Sequence, residues 1–335
     1  MTKPQYEIEA LIGSGHYGEV YRARHAYLTG RVVALKLIPA GNDVDEVLLE
    51  AQKAAALDDH DNLVKVHDAG IWIDGRVYIA SDLCEFGSLE DQVVGPLDPG
   101  TACHLISHSC RGLAHMHQAG LLHLDLRPAN IMVTEAGVPR LTDFGLARWS
   151  HDADVDDWYT PHAAPEFVET GKATAASDIY AMGMTLAHLL TGGSICRPFP
   201  QWAQLVVDSM NGDWPRLDEL GCNVTARLRK VIENATQYDP ANRPHDVASF
   251  KRELDKATPR VSLVVAPDGS LISADGRWTI TTSVSRSGQH SVDVKRDARR
   301  RTILCAENLS GGAAVRHVRK VVKLLADEPP SSKLI

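Results

Sequence analysis

The chain has 335 residues, 44% of them apolar and 23% charged. That is enough to bury cores for about two domains, and too apolar for a disordered polymer. The net charge of −8 is unevenly placed. Residues 260–335 carry 13 Lys and Arg against 7 Asp and Glu, +6, which leaves −14 on the rest. Two units with different surfaces are expected, the basic one docking on the acidic body or recruiting an acidic partner. The opening MTKPQYEIEA lacks the apolar core of a signal peptide, and no apolar run reaches the ~20 residues of a membrane helix. Six cysteines without a CxxC pair fit reduced thiols, so a cytoplasmic protein without membrane contact is expected.

In chain order, residues 6–40 read as three strands with a glycine turn, GSGHYG, between the first two. Asp43 to Leu57 has helical periodicity, and strands follow near Val64–Trp72 and Arg76–Asp82. Helical patterns then dominate, above all Thr101–Gly120 and Ser177–Leu190. Thr258-Pro259-Arg260 marks a boundary. Beyond it strands return as VSLVV, RWTITTSVSR, HSVDVKR and RTILCA, and a helix from about Gly312 to Asp327 closes the pattern. The expected division is residues 1–258, with a small lobe to about 83 and a large one from 84, then 260–328 as a small basic accessory domain and 329–335 as a flexible tail.

Gly13-Ser14-Gly15-His16-Tyr17-Gly18 is a GxGxxG. Alone it is weak, because dinucleotide-binding folds open with the same string. There the glycines lead into a helix; here they lead into the strand Glu19–Arg24, so a hairpin closing its backbone over phosphates is expected. Val20 is placed to cover a base. Val33-Ala34-Leu35-Lys36 is a strand ending in a lysine.

GSGHYGEVY, VALK, HLDLRPAN, DFG and APE occur in the order found in the protein kinase family, and the resemblance covers about Tyr6 to Leu254. Within the family it resembles the bacterial, eukaryotic-like serine/threonine kinases. The implied fold is α+β and bilobal: a small β-rich lobe, a large helical lobe, and here a small β-meander with one helix behind them. ATP would lie against Ile12, Gly13, Ser14, Gly15, Gly18, Val20, Ala34 and Met132. Ser81 would guard the back of the pocket, and Asp82 to Cys84 would form the hinge. Lys36 would pair with the phosphates and with a carboxylate of the first helix, Glu50, or Glu46 one turn earlier. Asp125 would take the proton of a substrate hydroxyl. Asn130 and Asp143 would hold Mg²⁺, with Mn²⁺ as a substitute. Arg127 stands where the serine/threonine class carries lysine, and Pro128 matches that class. Glu166 would pair with Arg243, and Asp178 would anchor the catalytic loop.

Two departures stand out. Leu124 replaces the arginine that in the family receives a phosphorylated activation loop, which implies weaker dependence on that switch. Thr160-Pro161-His162-Ala163 is one residue shorter than the usual stretch before APE, and a gap-free alignment puts Tyr159 at the threonine place. The acidic run HDADVDD (151–157) reads as a solvated loop. His104, His108, His115 and His117 share a helical segment, but without HExxH or a matching Cys pattern they read as packing or surface residues.

The expected function is therefore phosphoryl transfer from ATP to Ser or Thr of proteins. A pseudokinase scaffold would lack one of Lys36, Asp125, Asn130 and Asp143, and all four are present. A kinase-fold enzyme for small molecules would usually lack the APE platform; the shortened segment keeps that reading open. The basic residues Lys295, Arg296, Arg299, Arg300, Arg301, Arg316, Arg319, Lys320 and Lys323 have Trp278 as the one obvious stacking platform. A docking or regulatory module is expected there rather than a nucleic-acid reader.

Overall fold

The structure is a computed structural model, and it describes residues 5–15, 18–39, 44–55, 57, 59–143, 160–197 and 201–327. Three strands open the chain: β1 (Tyr6–Gly15), β2 (Gly18–His25) and β3 (Val32–Ile38). Helix α1 (Val44–Ala55) follows, then β4 (Val66–Ile71) and β5 (Val77–Asp82). They form one antiparallel sheet in the order β1-β2-β3-β5-β4. Strand alternation explains the division of labour in β3. Val33, Leu35 and Leu37 are fully buried on one face, which turns Lys36 to the other. The β1–β2 turn needs its last glycine: Gly18 has φ +124, and a Cβ there would lie 2.2 Å from the Leu37 carbonyl oxygen.

The large lobe is helical: α2 (Leu89–Gln92), α3 (Pro99–Gln118), α4 (Pro165–Thr170), α5 (Ala175–Thr191), α6 (Trp202–Asn211), α7 (Ala226–Ala235) and α8 (Val247–Ala257). Asp98 caps α3 by accepting from Thr101 N, and Pro99 fits its first turn. Helix α5 is the axle: from Ser177 to Thr191 every residue but His188 is buried. Between α3 and α4 a short hairpin, β6 (Ile131–Val133) with β7 (Pro139–Leu141), carries the polypeptide past the lobe boundary.

After α8 the chain builds a second core. Strands β8 (Leu263–Val265), β9 (Leu271–Ser273), β10 (Trp278–Val284), β11 (His290–Arg296) and β12 (Arg299–Arg300) pair in sequence, β13 (Ala306–Leu309) pairs with β11, and α9 (Gly311–Ala326) covers the sheet. Trp278, Ile280, Val292 and Val294 meet Val318, Val321, Val322 and Leu325. The β11–β12 turn is Asp297-Ala298 with both φ values positive, the backbone a two-residue hairpin of right-handed twist requires. RTILCA is not the strand expected. Thr302–Leu304 is a 3₁₀ turn that buries Leu304 and leaves Ile303 78% exposed, and pairing resumes only at Ala306. The unit joins the helical lobe through Gly100 N donating to Ser262 Oγ (2.7 Å) and buried Asn223 Nδ2 donating to the Leu263 carbonyl (2.9 Å).

Gly112 tests the packing of α3. A Cβ there would lie 2.5 Å from the Asn62 carbonyl oxygen. Gly112→Ala is expected to destabilise the helical lobe by about 1–3 kcal/mol, read as a lower midpoint in urea; an unchanged midpoint would mean that α3 does not approach this loop so closely.

Candidate active site

A cleft of about 900 Å³ lies between the sheet and the helical lobe. Its roof is Ile12, Gly13, Ser14, Gly18 and Val20 of the first hairpin, with Arg22 and Lys36. Leu83, Cys84 and Glu85 form the edge where β5 leaves the sheet, and Met132 lies in the floor. The polar end gathers Asp125, Arg127, Asn130 and Asp143. Burial pushes the Cys84 thiol up, and Asp82 adds to this against the opposing Arg140 charge.

Lys36 is 8% exposed, and its Nζ lies 3.0 Å from Asp143 Oδ1. Asp143 sits at φ +57 and Leu124 at φ +68, so two non-glycine residues of this site occupy the left-handed region. Asn130 Nδ2 donates to both the carbonyl oxygen and Oδ2 of Asp125, each at 2.7 Å. That commits the amide nitrogen and turns Asn130 Oδ1 away from Asp125. Arg127 Nε lies 3.3 Å from Asp125 Oδ1, a charge contact rather than an aligned hydrogen bond.

Asp178, on α5, fixes the loop from below. Its Oδ2 accepts from His123 N (2.9 Å), its Oδ1 from Leu124 N (2.8 Å), and His117 Nε2 lies 2.8 Å from Oδ2. Fully buried His123 is held below its ordinary pKa by desolvation, against the pull of Asp178. Arg243 grips Glu166 with two bonds of 2.7 Å, its Nη1 to Oε1 and its Nη2 to Oε2. The same guanidinium donates to the carbonyls of Gln237, Tyr238 and Ala176.

The structure does not gather every residue assigned to nucleotide binding. Ala34 and Ser81 pair with each other across β3 and β5 and are not among the cleft-lining residues. Asp82 is not either: its carboxylate turns to His67 Nε2 (2.7 Å) and Arg140 Nη1 (3.1 Å). The side chains of Glu50 and Glu46 lie outside the described residues, as do Phe144 and Gly145 and the acidic run 151–157. Gly15 is described as the last residue of β1. Sequence reasoning missed Arg22, Glu85, Gly87, Ser88 and Asp91 as cleft residues. The Ser88–Asp91 capping box was readable as S-x-x-D, though not its position at the cleft mouth.

The family model described as "Protein kinase domain" matches residues 6–252. The chain belongs to the protein kinase family. Among curated relatives, serine/threonine-protein kinase PknL of Mycobacterium bovis is 31% identical over 77% of this chain and 67% of its own length. PknJ of the same species is 32% identical over 73% of this chain and 44% of its own. PrkC of Bacillus subtilis is 29% identical over 76% of this chain and 40% of its own. All three matches leave a quarter of the chain uncovered, and the family match stops before the second core.

The Arg243–Glu166 pair predicts a measurable coupling. Arg243→Ala is expected to cost about 3–5 kcal/mol, because it leaves a part-buried carboxylate without its cation. In chemical denaturation, adding Glu166→Ala to it is expected to cost less than the sum of the two single changes; strict additivity would show that the pair is not the unit of stability.

Proposed function

We propose that the chain transfers the γ-phosphoryl group of ATP to serine or threonine hydroxyls of protein substrates. The observation that carries this is the convergence of Lys36, Asp125, Asn130 and Asp143 at one end of a single cleft. The names of the relatives support the choice of serine and threonine. Adenine would lie between Val20 above and Met132 below, at the edge formed by Leu83 and Cys84, with the glycines of the first hairpin over the phosphates.

The donor set fits Mg²⁺: Asp143 and Asn130 line one cleft and offer hard oxygens, the Asn130 amide nitrogen being committed to Asp125. When bound, the ion would supply charge neutralisation on the phosphate oxygens. Lys36, held near Asp143, is positioned to take the α- and β-phosphates. Asp125 is oriented by the Asn130 amide and would orient the substrate hydroxyl and accept its proton as the O–P bond forms. Arg127, beside Asp125, would meet the γ-phosphate charge. Its planar fork makes it a more directional partner than lysine. Catalysis in this chemistry is chiefly positioning and electrostatics, so the fixed catalytic loop is the main asset of the site.

Leu124 has no charge with which to receive a phosphorylated activation loop, and we infer weak dependence on that modification. Residues 1–258 are taken as the catalytic unit and 260–328 as an accessory module.

Radiolabelled ATP with the full chain and a generic protein substrate tests the reading. Phosphoserine or phosphothreonine is expected, with turnover falling about 10²–10⁴-fold in Asp125→Asn. Absence of transfer together with absence of ATP binding would overturn it. An independent check uses Cys84. Maleimide labelling of this residue is expected to be slow at neutral pH, because its thiol is raised, and to be suppressed by ATP but not by inorganic phosphate. Equal labelling with and without ATP would place the base elsewhere.

A further inference from the structure

Away from the cleft, three ligand atoms converge from separate places in the sequence. His162 lies in the turn before α4, His188 near the C-terminal end of α5, and Cys196 in the 3₁₀ turn Ser194–Cys196. Their ligand atoms all lie within 4.8 Å of one another. His162 Nε2 is 3.2 Å from His188 Nδ1, and Cys196 Sγ is 3.8 Å from that same nitrogen. A tetrahedral ion with Zn–N near 2.0–2.1 Å and Zn–S near 2.3 Å places its nitrogens roughly 3.3 Å apart, and nitrogen and sulfur roughly 3.6 Å apart. The observed nitrogen–nitrogen spacing is slightly shorter and the nitrogen–sulfur spacing slightly longer than those values.

The local fold holds the three groups in place. Gly192 (φ +61) and Gly193 (φ +84) reverse the chain after α5 and bring Cys196 back onto His188. A Cβ on Gly193 would lie 2.9 Å from His188 Nε2. Arg216 Nη2 donates to the carbonyls of Ser194, Ile195 and Arg197, which pins the turn that carries Cys196. His162 and Cys196 are both buried, at 5% exposure each. Hydrogen bonding alone serves the set poorly. His188 Nδ1, with one proton or one lone pair to offer, faces both His162 Nε2 and Cys196 Sγ, and His162 Nδ1, also buried, has no hydrogen-bond partner among the described residues.

The electrostatics suit a cation of intermediate softness. Burial holds His162 well below its ordinary pKa, with His188 and Arg127 adding to the effect. Burial lowers His188 as well. Both rings are therefore neutral at pH 7 and offer lone pairs. Burial raises the Cys196 thiol to about 12, so the sulfur keeps its proton until an ion displaces it.

We propose that His162, His188 and Cys196 bind one borderline-soft divalent cation, with Zn²⁺ the best match and water in the fourth position. Binding forms one Zn–S and two Zn–N bonds and releases the thiol proton to solvent. Two imidazoles and a thiolate select such an ion over Mg²⁺ or Ca²⁺. The ion would tie the segment before α4 to α5 and so brace the part of the chain that leads into Pro165. The site is independent of the phosphoryl-transfer reading, since no cleft residue belongs to it.

The test uses the full chain, stripped with a chelator and titrated with Co²⁺ and then with Zn²⁺. One Co²⁺ per chain is expected, with a near-ultraviolet thiolate-to-cobalt charge-transfer band that Zn²⁺ abolishes. Cys196→Ser is expected to remove the band, and His188→Gln to weaken Co²⁺ binding at least 10-fold. The band is expected to survive joint replacement of the half-exposed thiols, Cys84, Cys222 and Cys305, by serine. It is also expected to survive His104→Gln with His108→Gln. No band in the wild-type chain at saturating Co²⁺ overturns the proposal whatever the variants do, and so does a band that persists in Cys196→Ser.

Discussion

A carboxylate without solvent contact holds the loop from His123 to Asn130 in place. The Asp178 side chain is 0% exposed and meets three polar partners: two backbone amides of the loop and His117. An unpartnered charge in that position would cost several kcal/mol, so the loop and the helix beneath it are interdependent. Asp178 sits near the start of α5, whose burial fixes it against the core. The loop is thereby held with Leu124 at φ +68, a conformation that costs a β-carbon residue about 1–2 kcal/mol. After that turn Asp125, Arg127 and Asn130 orient one another, Asn130 Nδ2 donating to Asp125 and Arg127 lying beside it. Thr185, two turns further along α5, donates its hydroxyl chiefly to the Ala181 carbonyl (2.7 Å), with the Leu126 carbonyl of the same stretch at 3.2 Å.

The second constraint spans the two lobes. Lys36 comes from the sheet and Asp143 from the segment after β7, and their contact closes the polar end of the cleft. Lys36 is nearly buried and Asp143 is half-buried, so their attraction is screened less than that of a surface pair. Its place on β3 follows from alternation: the face that buries Leu35 and Leu37 forces the lysine to the opposite side. Hydrophobic packing in the small lobe thus aims a charged group in the cleft. Asp143 at φ +57 is the second strained residue of the site, and strain of this kind persists where surrounding contacts over-determine it.

How much of this was legible in the sequence depends on the range of the interaction. The five motifs are short, and each packs its chemistry into a few consecutive residues. The strand containing Lys36, the helix containing Asp178 and the Glu166–Arg243 pair could therefore be placed from residue order and family resemblance. Side-chain direction was less accessible. Asp82 stands at the hinge by position, but His67 and Arg140 hold its carboxylate elsewhere. RTILCA has strand composition, yet burying Leu304 rather than Ile303 breaks the alternation. The His162, His188 and Cys196 cluster had no signature at all. Its members are 26 and 8 residues apart, and only the positive-φ reversal at Gly192-Gly193 brings the last one back.

Charge gave a misleading account of how the C-terminal unit meets the rest. A +6 segment on a −14 body suggests attraction, but several of its cations are satisfied internally. Arg300 bonds Asp293 and Glu307, and Arg277 bonds Asp297. The junction itself is built of hydrogen bonds and packing rather than ion pairs: the Ser262 hydroxyl against Gly100 N and the Asp98 carboxylate, the Asn223 amide, and the packing of Cys222 against the second core. Burial holds the Arg229 guanidinium below its ordinary pKa, and the like charge of Arg319 adds to this against the pull of Asp218. Gly100 and Ser262 approach closely, a Cβ on the glycine lying 3.0 Å from the serine Cβ. The association therefore rests on backbone shape and buried hydrogen bonds. Those are screened far less by salt than exposed ion pairs, so the unit stays seated under conditions that would neutralise its surface charge.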